Sequence, residues 1–158
     1  MTRLAEILRA EKPTGAAEET IYWMSYLTNR FTVPAYREIA SDLNLSRHEA
    51  LILLCLGSLR PGLTAGEISA LSGRPKNSVS RAVATLEARH LIRRSAGAHD
   101  KRQHPLSMTA QGRTLHGKIN RRLKARSRAS LDALTDTERR QLGRIPAKLV
   151  SASVDEAD

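Results

Sequence analysis

Residues Leu63 to Thr109 read LTAGEISALSGRPKNSVSRAVATLEARHLIRRSAGAHDKRQHPLSMT. The signals in this run come in the order helix, tight turn, helix, hairpin. Thr64-Ala-Gly-Glu67 has the form of a capping box, in which a Thr hydroxyl and a Glu carboxylate satisfy the free amides at a helix start. Ile68 and Leu71 supply a short apolar face. Gly73 follows, and glycine tolerates the left-handed backbone that ends a helix. Pro75 suits the first turn of the next helix, where a missing N–H costs nothing.

In that second helix Val79, Val83 and Leu86 recur at helical spacing and predict a buried stripe. The opposite face carries Lys76, Asn77, Ser78, Ser80, Arg81 and Thr85, small polar or basic side chains gathered toward the N-terminal end. On an arbitrary helix such a face is merely solvated. Behind a capped helix and a tight turn, and ahead of a hairpin, it has the make-up of a recognition helix for the DNA major groove. Leu91 and Ile92 begin the first hairpin strand, and Pro105, Leu106 and Met108 lie on the return. The intervening SAGAHDKRQH is a basic tip able to reach phosphates or a minor groove.

These pieces together resemble a MarR-type winged helix-turn-helix transcription regulator. The resemblance rests on Leu63-Thr64 through Glu67-Ile68, Ser78-Val79-Ser80-Arg81, Leu86-Glu87, Leu91-Ile92-Arg93-Arg94, Asp100-Lys101-Arg102, and Met108-Thr109 with Gly112. The chain departs from the family where glycine usually precedes the first wing strand. Here that residue is His90, which must then take up the helix-ending geometry itself. The wing motif, often Asp-Arg-Arg, is Asp100-Lys101-Arg102.

The charge agrees with this reading. The chain has 158 residues with 26 Lys+Arg against 16 Asp+Glu, a net charge of +10 that favours a polyanionic partner. From Arg60 to Arg128 there are 16 basic and three acidic residues (Glu67, Glu87, Asp100), so the excess lies on this module and the segment after it. One cysteine, Cys55, excludes an internal disulfide and fits a reducing cytoplasm; its apolar neighbours predict an inert core thiol. No apolar run is long enough for a membrane span or a secretory leader, so cytoplasmic localisation is expected. Five aromatic residues are too few for single-strand binding by base stacking.

Outside the module, residues 1–15 are expected to form a flexible N-terminal arm, residues 16–45 a helical dimerisation segment and residues 46–109 the DNA-binding domain. Residues 110–150 are expected to form C-terminal dimerisation helices and residues 151–158 an acidic tail. Pro34 either kinks one helix or separates two. Ser46-Arg-His-Glu49 and Thr135-Asp-Thr-Glu138 repeat the capping box, and Thr109 is placed to cap a long helix. In that helix Leu115, Ile119 and Leu123 form a narrow apolar seam among seven basic residues. Pro146 is expected to kink the last helix. The expected fold is mainly α with a small β-hairpin wing: a winged helix-turn-helix flanked by N- and C-terminal dimerisation helices.

One recognition helix reads only a few base pairs, so tight binding calls for two, on a near-palindromic operator. The resemblance implies that the terminal helices of two chains interlock, giving a homodimer bound to double-stranded DNA. Expected DNA contacts are Lys76, Asn77, Ser78, Ser80 and Arg81 in the major groove, Arg93 and Arg94 at the backbone, and Lys101 and Arg102 on the wing. Asp100, by resemblance, orients the wing by pairing with an arginine. Many relatives release DNA when a small, often phenolic, effector fills a cleft. Tyr22, Trp23, Tyr26, Tyr36 and His48 are the candidate side chains for such a pocket, although core or interface packing accounts better for Trp23 and Tyr26. No nucleotide-binding, nucleophile or zinc motif is present, so an enzyme is not expected, nor is a cofactor. His99, Asp100 and His104 lie close in sequence but lack the cysteines of a built zinc site. The rival readings are a winged helix acting through protein–protein contact and a non-specific architectural DNA binder.

Overall fold

Each capping signal read from the sequence opens a helix in the computed structural model, which describes residues 17–58, 62–95 and 104–155. The elements run α1 (Ala17–Leu27), a π-helical turn (Thr28–Thr32), α2 (Val33–Leu43), α3 (Arg47–Ser58), α4 (Ala65–Ser72) and α5 (Lys76–Ala88). Strands β1 (Ile92–Arg94) and β2 (Leu106–Met108) follow, then α6 (Ala110–Leu131) and α7 (Asp136–Asp155). The expected N-terminal arm and most of the basic wing tip lie outside the described residues.

The stretch from α1 to α2 is one continuous helical path. Leu27, Thr32 and Val33 all keep right-handed helical angles on either side of the π turn. Pro34, in the first turn of α2, has no N–H for a regular bond to Arg30, and its ring would crowd that carbonyl. The wider turn just ahead of Pro34 accommodates this without a break. The path ends at Asn44, a left-handed C-cap with φ 49°.

Ser46 and Glu49 exchange capping bonds at the start of α3, the Ser46 amide donating to Glu49 Oε2 at 2.6 Å. The densely apolar α3 is the centre of the fold. It packs against α5, α6, α2 and β2. Ile52, Leu53 and Leu56 of α3 meet Ile39 of α2, Val83 of α5 and Ile119 of α6 in one core. Cys55 is buried there, and burial pushes its thiol pKa up. The seam of α6 is as expected, with Ile119 fully buried and Leu115 and Leu123 packed on the core. Gly57 near the end of α3 lies against the His116 ring of α6, where a Cβ would collide.

β1 and β2 form an antiparallel ribbon in the register Ile92↔Met108, Arg93↔Ser107, Arg94↔Leu106. Two more backbone bonds, Gly62 N to Leu106 O and Leu106 N to Leu63 O, attach the entry of α4 to β2. The last helix runs through Pro146 to Asp155, into the segment 151–158 expected as an acidic tail. The exposed helices α1 and α7 extend from this body. α1 packs mainly on the π turn, and α7 makes no comparably extensive contact among the described residues.

Candidate nucleic-acid interface

The turn between α4 and α5 is held by local chemistry. Thr64 and Glu67 complete the capping box that opens α4, with the Thr64 amide and hydroxyl both donating to Glu67 Oε2. Gly73 closes α4 in the left-handed region at φ 60°. The buried Ser69 hydroxyl then donates to the Arg74 carbonyl at 2.6 Å, and the Arg74 amide donates back to the Ser69 carbonyl. Pro75 stands one residue earlier than expected. It is the N-cap of α5, with Lys76 as the first helical residue. Its carbonyl accepts from the Ser78 and Val79 amides.

α5 divides cleanly into two faces. Val79, Ala82, Val83 and Leu86 are buried. Lys76, Asn77, Ser80 and Arg81 are exposed, and Ser78 is half-buried. The Thr85 hydroxyl donates to the Arg81 carbonyl at 3.1 Å, so it is engaged within the helix. The exposed side chains gather on the N-terminal half, the positive end of the helix dipole, which suits it to approach phosphates as well as base edges.

At its other end α5 is anchored twice. The Arg89 guanidinium donates to the carbonyl of Asn44 at 2.7 Å and lies 3.8 Å from the buried Glu49. His90 has φ 54° and so adopts the left-handed turn expected of it in place of glycine. Thr109 then joins the ribbon to α6. Its hydroxyl donates to the His90 carbonyl at 2.8 Å and accepts from the Gly112 amide at 3.1 Å. Gly112 packs on the Leu91 carbonyl so closely that a Cβ has no room.

On β1, Arg93 donates to the Ser107 hydroxyl at 3.2 Å. Arg94 donates through Nε to Glu87 Oε2 of α5 at 2.8 Å. The structure thus brings Lys76, Asn77, Ser78, Ser80 and Arg81 together on one helix and places Arg93 and Arg94 on the adjacent ribbon. Asp100, Lys101 and Arg102 lie outside the described residues. The sequence reading missed Glu87 and Arg89 as organising residues. For Glu87 a signal was available: it is the only acid between Lys76 and Ala88.

Of the five candidate effector-pocket side chains, Tyr36 lines a cavity among the described residues. That cavity, about 230 Å³, lies between the π turn, α2 and α6, with Phe31, Ala35, Leu123, Leu131 and Arg126 as walls beside Tyr36. Arg47 sits 5.2 Å from the Tyr36 ring centroid. Burial raises the Tyr36 hydroxyl pKa, and the charges of Arg47 and Arg74 partly offset the rise. Tyr22, Trp23 and Tyr26 instead form an edge-to-face row along α1, with centroids 5.6 and 6.1 Å apart. His48 lies in the first turn of α3 and is not among the residues lining the cavity. Arg126 of this lining pairs with Glu38, and four residues earlier on α6 Arg122 pairs with Asp42 at 2.9 Å. The hydrogen bond from Arg122 holds the Asp42 carboxyl below its ordinary value, with Ser41 adding to the effect.

A capped helix, a glycine turn, a second helix with a polar outer face and a two-stranded ribbon define a winged helix-turn-helix protein. Residues 43–103, a span that takes in α3, α4, α5 and β1, match the MarR family model. A MarR transcriptional regulator from Methanosarcina mazei Go1 has the same fold at 15% identity, with TM-score 0.75, 87% of this chain covered and 98% of that one. A Mycobacterium tuberculosis MarR family protein in complex with salicylic acid matches at 24% identity and TM-score 0.62, covering 88% and 97% of the two chains. A mutant of S. aureus MepR bound to an oligodeoxyribonucleotide matches at 21% identity and TM-score 0.55, covering 84% and 96%. Among curated proteins, none matches this chain in sequence.

Proposed function

We propose that this protein is a cytoplasmic transcription regulator that binds double-stranded DNA in a sequence-specific way, as a homodimer, and acts as a repressor released by a small molecule. The observation that carries the reading is the two-sided α5. Its apolar side is locked into the core, while Lys76, Asn77, Ser80 and Arg81 face outward beside the arginines of β1. An arginine gripping guanine through two hydrogen bonds gives discrimination of about 1–3 kcal/mol. Lys101 and Arg102 extend the contact along the wing, with Asp100 orienting it. The oligonucleotide complex of the MepR mutant supports the same use of the fold.

The homodimer reading rests on the apolar residues left exposed on the two outlying helices: Ile21, Met24 and Leu27 on α1, and Leu142, Ile145 and Leu149 on α7. Each set recurs at helical spacing, and patches of this kind mark association surfaces. The effector reading rests on the cavity beside Tyr36, whose largely apolar walls suit a small flat molecule. The salicylic acid complex of the M. tuberculosis relative supports that chemistry. The solved structures that share this fold are regulators, and the reading is of a regulator rather than an enzyme.

The test is a titration of the duplex flanking the protein's own gene against an unrelated duplex, across a salt series. The expected result is one fragment retained at physiological salt, protected over a near-palindrome. Equal binding to both duplexes, with equal release as salt rises, would point to an architectural role instead. No binding to either would leave protein–protein contact as the use of the winged helix.

A further inference from the structure

Acidic residues are scarce on the reading head (α3 to β2), and two of its three described carboxylates cap helix starts. Glu49 accepts from the Ser46 amide at the start of α3, and Glu67 accepts from Thr64 at the start of α4. Glu87 has no such task. It is the only acid on α5, stands in the last turn, and accepts from Arg94 Nε at 2.8 Å.

The pair faces solvent, with Glu87 30% and Arg94 41% exposed. An ion pair so placed adds little to stability. A carboxylate beside a phosphate-binding surface also opposes binding through its charge. Its effect is therefore geometric. Arg94 is the last residue of β1, the strand that leads into the basic wing tip. Glu87 ties that residue back to the helix that carries Lys76 through Arg81. From the other side, Arg89 ties the end of the same helix to Asn44 and Glu49. α5 is thus fixed to the body by one arginine and to the ribbon by the other.

We infer that Glu87 is a specificity-determining positioning residue. It holds Arg94 against α5, which sets the angle of the ribbon to the recognition helix and keeps one guanidinium from gripping phosphate on any duplex it meets. The inference rests on the DNA-binding reading above. Base readout by α5 and the wing together depends on that angle; non-specific attraction to phosphate does not.

The test uses the full chain and two duplexes: the fragment protected in the salt series above and a scrambled duplex of equal length. In Glu87→Ala, Arg94 is free to reach a phosphate. Affinity for the scrambled duplex is expected to rise about three- to tenfold, and its log–log salt slope to steepen by about 0.9, the value of one added phosphate contact. The ratio of specific to non-specific affinity falls at least tenfold. Glu87→Gln, which keeps an acceptor oxygen for Arg94, recovers much of that ratio. On an Arg94→Ala background, Glu87→Ala leaves the slope where it was, which separates a positioning role from simple removal of a repelling charge. An unchanged slope in Glu87→Ala overturns the inference, as does an equal steepening on the Arg94→Ala background. An equal loss of affinity for both duplexes identifies a merely structural role and also overturns it. Wild-type protein that binds neither duplex defeats the DNA-binding reading itself, an outcome distinct from these.

Discussion

His90 holds φ 54°, a conformation that strains any residue with a Cβ. Its backbone carbonyl, not its ring, receives the Thr109 hydroxyl. His90→Gly therefore keeps that bond and relieves the strain. The expected gain is up to about 1 kcal/mol, after allowing for the greater freedom of glycine in the unfolded chain, and a urea midpoint measures it. Gly112→Ala is the opposite case. Its new methyl meets the Leu91 carbonyl, a rigid backbone atom, and the expected cost is about 3 kcal/mol in the same experiment. The first position was legible in the sequence, because helix termination leaves His90 only one geometry. The second was not, because its obstacle is 21 residues earlier in the chain and meets it only once the ribbon has docked on α6. Cys55 obeys the simpler rule of its apolar neighbours. Burial raises its folded pKa above the unfolded value, so its contribution to stability is complete below the ordinary thiol range and is lost as pH rises through it. Cys55→Ala is expected to flatten that alkaline limb, and the native thiol to resist aromatic disulfide reagents until the protein unfolds.

Helix starts were the most readable elements, because a capping box is complete within four residues. Thr64→Ala removes the hydroxyl half of one box, and the expected loss of about 1 kcal/mol is measurable by thermal unfolding. The pairing between helices was not readable. Glu38 and Asp42 on α2 meet Arg126 and Arg122 on α6 in antiparallel order, four residues apart on each helix, across 88 and 80 residues of sequence. From sequence alone, those arginines were two of the seven basic residues around the apolar seam of the helix. Asp42 also carries a pH signature. Its folded pKa lies below the unfolded value, so its stabilising contribution is present above the ordinary carboxylate range and disappears as pH falls through and below it. Asp42→Asn is expected to flatten the acid limb of a stability–pH curve while leaving the limb above neutrality unchanged.

At the scale of the whole molecule, the reading head is finished and the outlying helices are not. The head has a buried core with side-chain caps at the starts of α3 and α4, whereas Ile145 of α7 remains 58% exposed. Ile145→Asp is expected to weaken self-association at least tenfold, since burying one such side chain is worth about 1.5–3 kcal/mol. Sedimentation velocity at graded concentrations measures it, and thermal unfolding of the head serves as the control. The π turn at Thr28–Thr32 bears on the same question. A π turn holds an extra residue relative to the α-helical path around it. The extra residue spreads the rotation of the turn over more residues, so removing one residue from this stretch restores regular pitch with α1 close to its present azimuth. Ile21, Met24 and Leu27 then keep their direction relative to α2 and the head. The turn thus acts as a local absorber of residue count, and the direction in which α1 presents its apolar side is insulated from one residue more or less at this point.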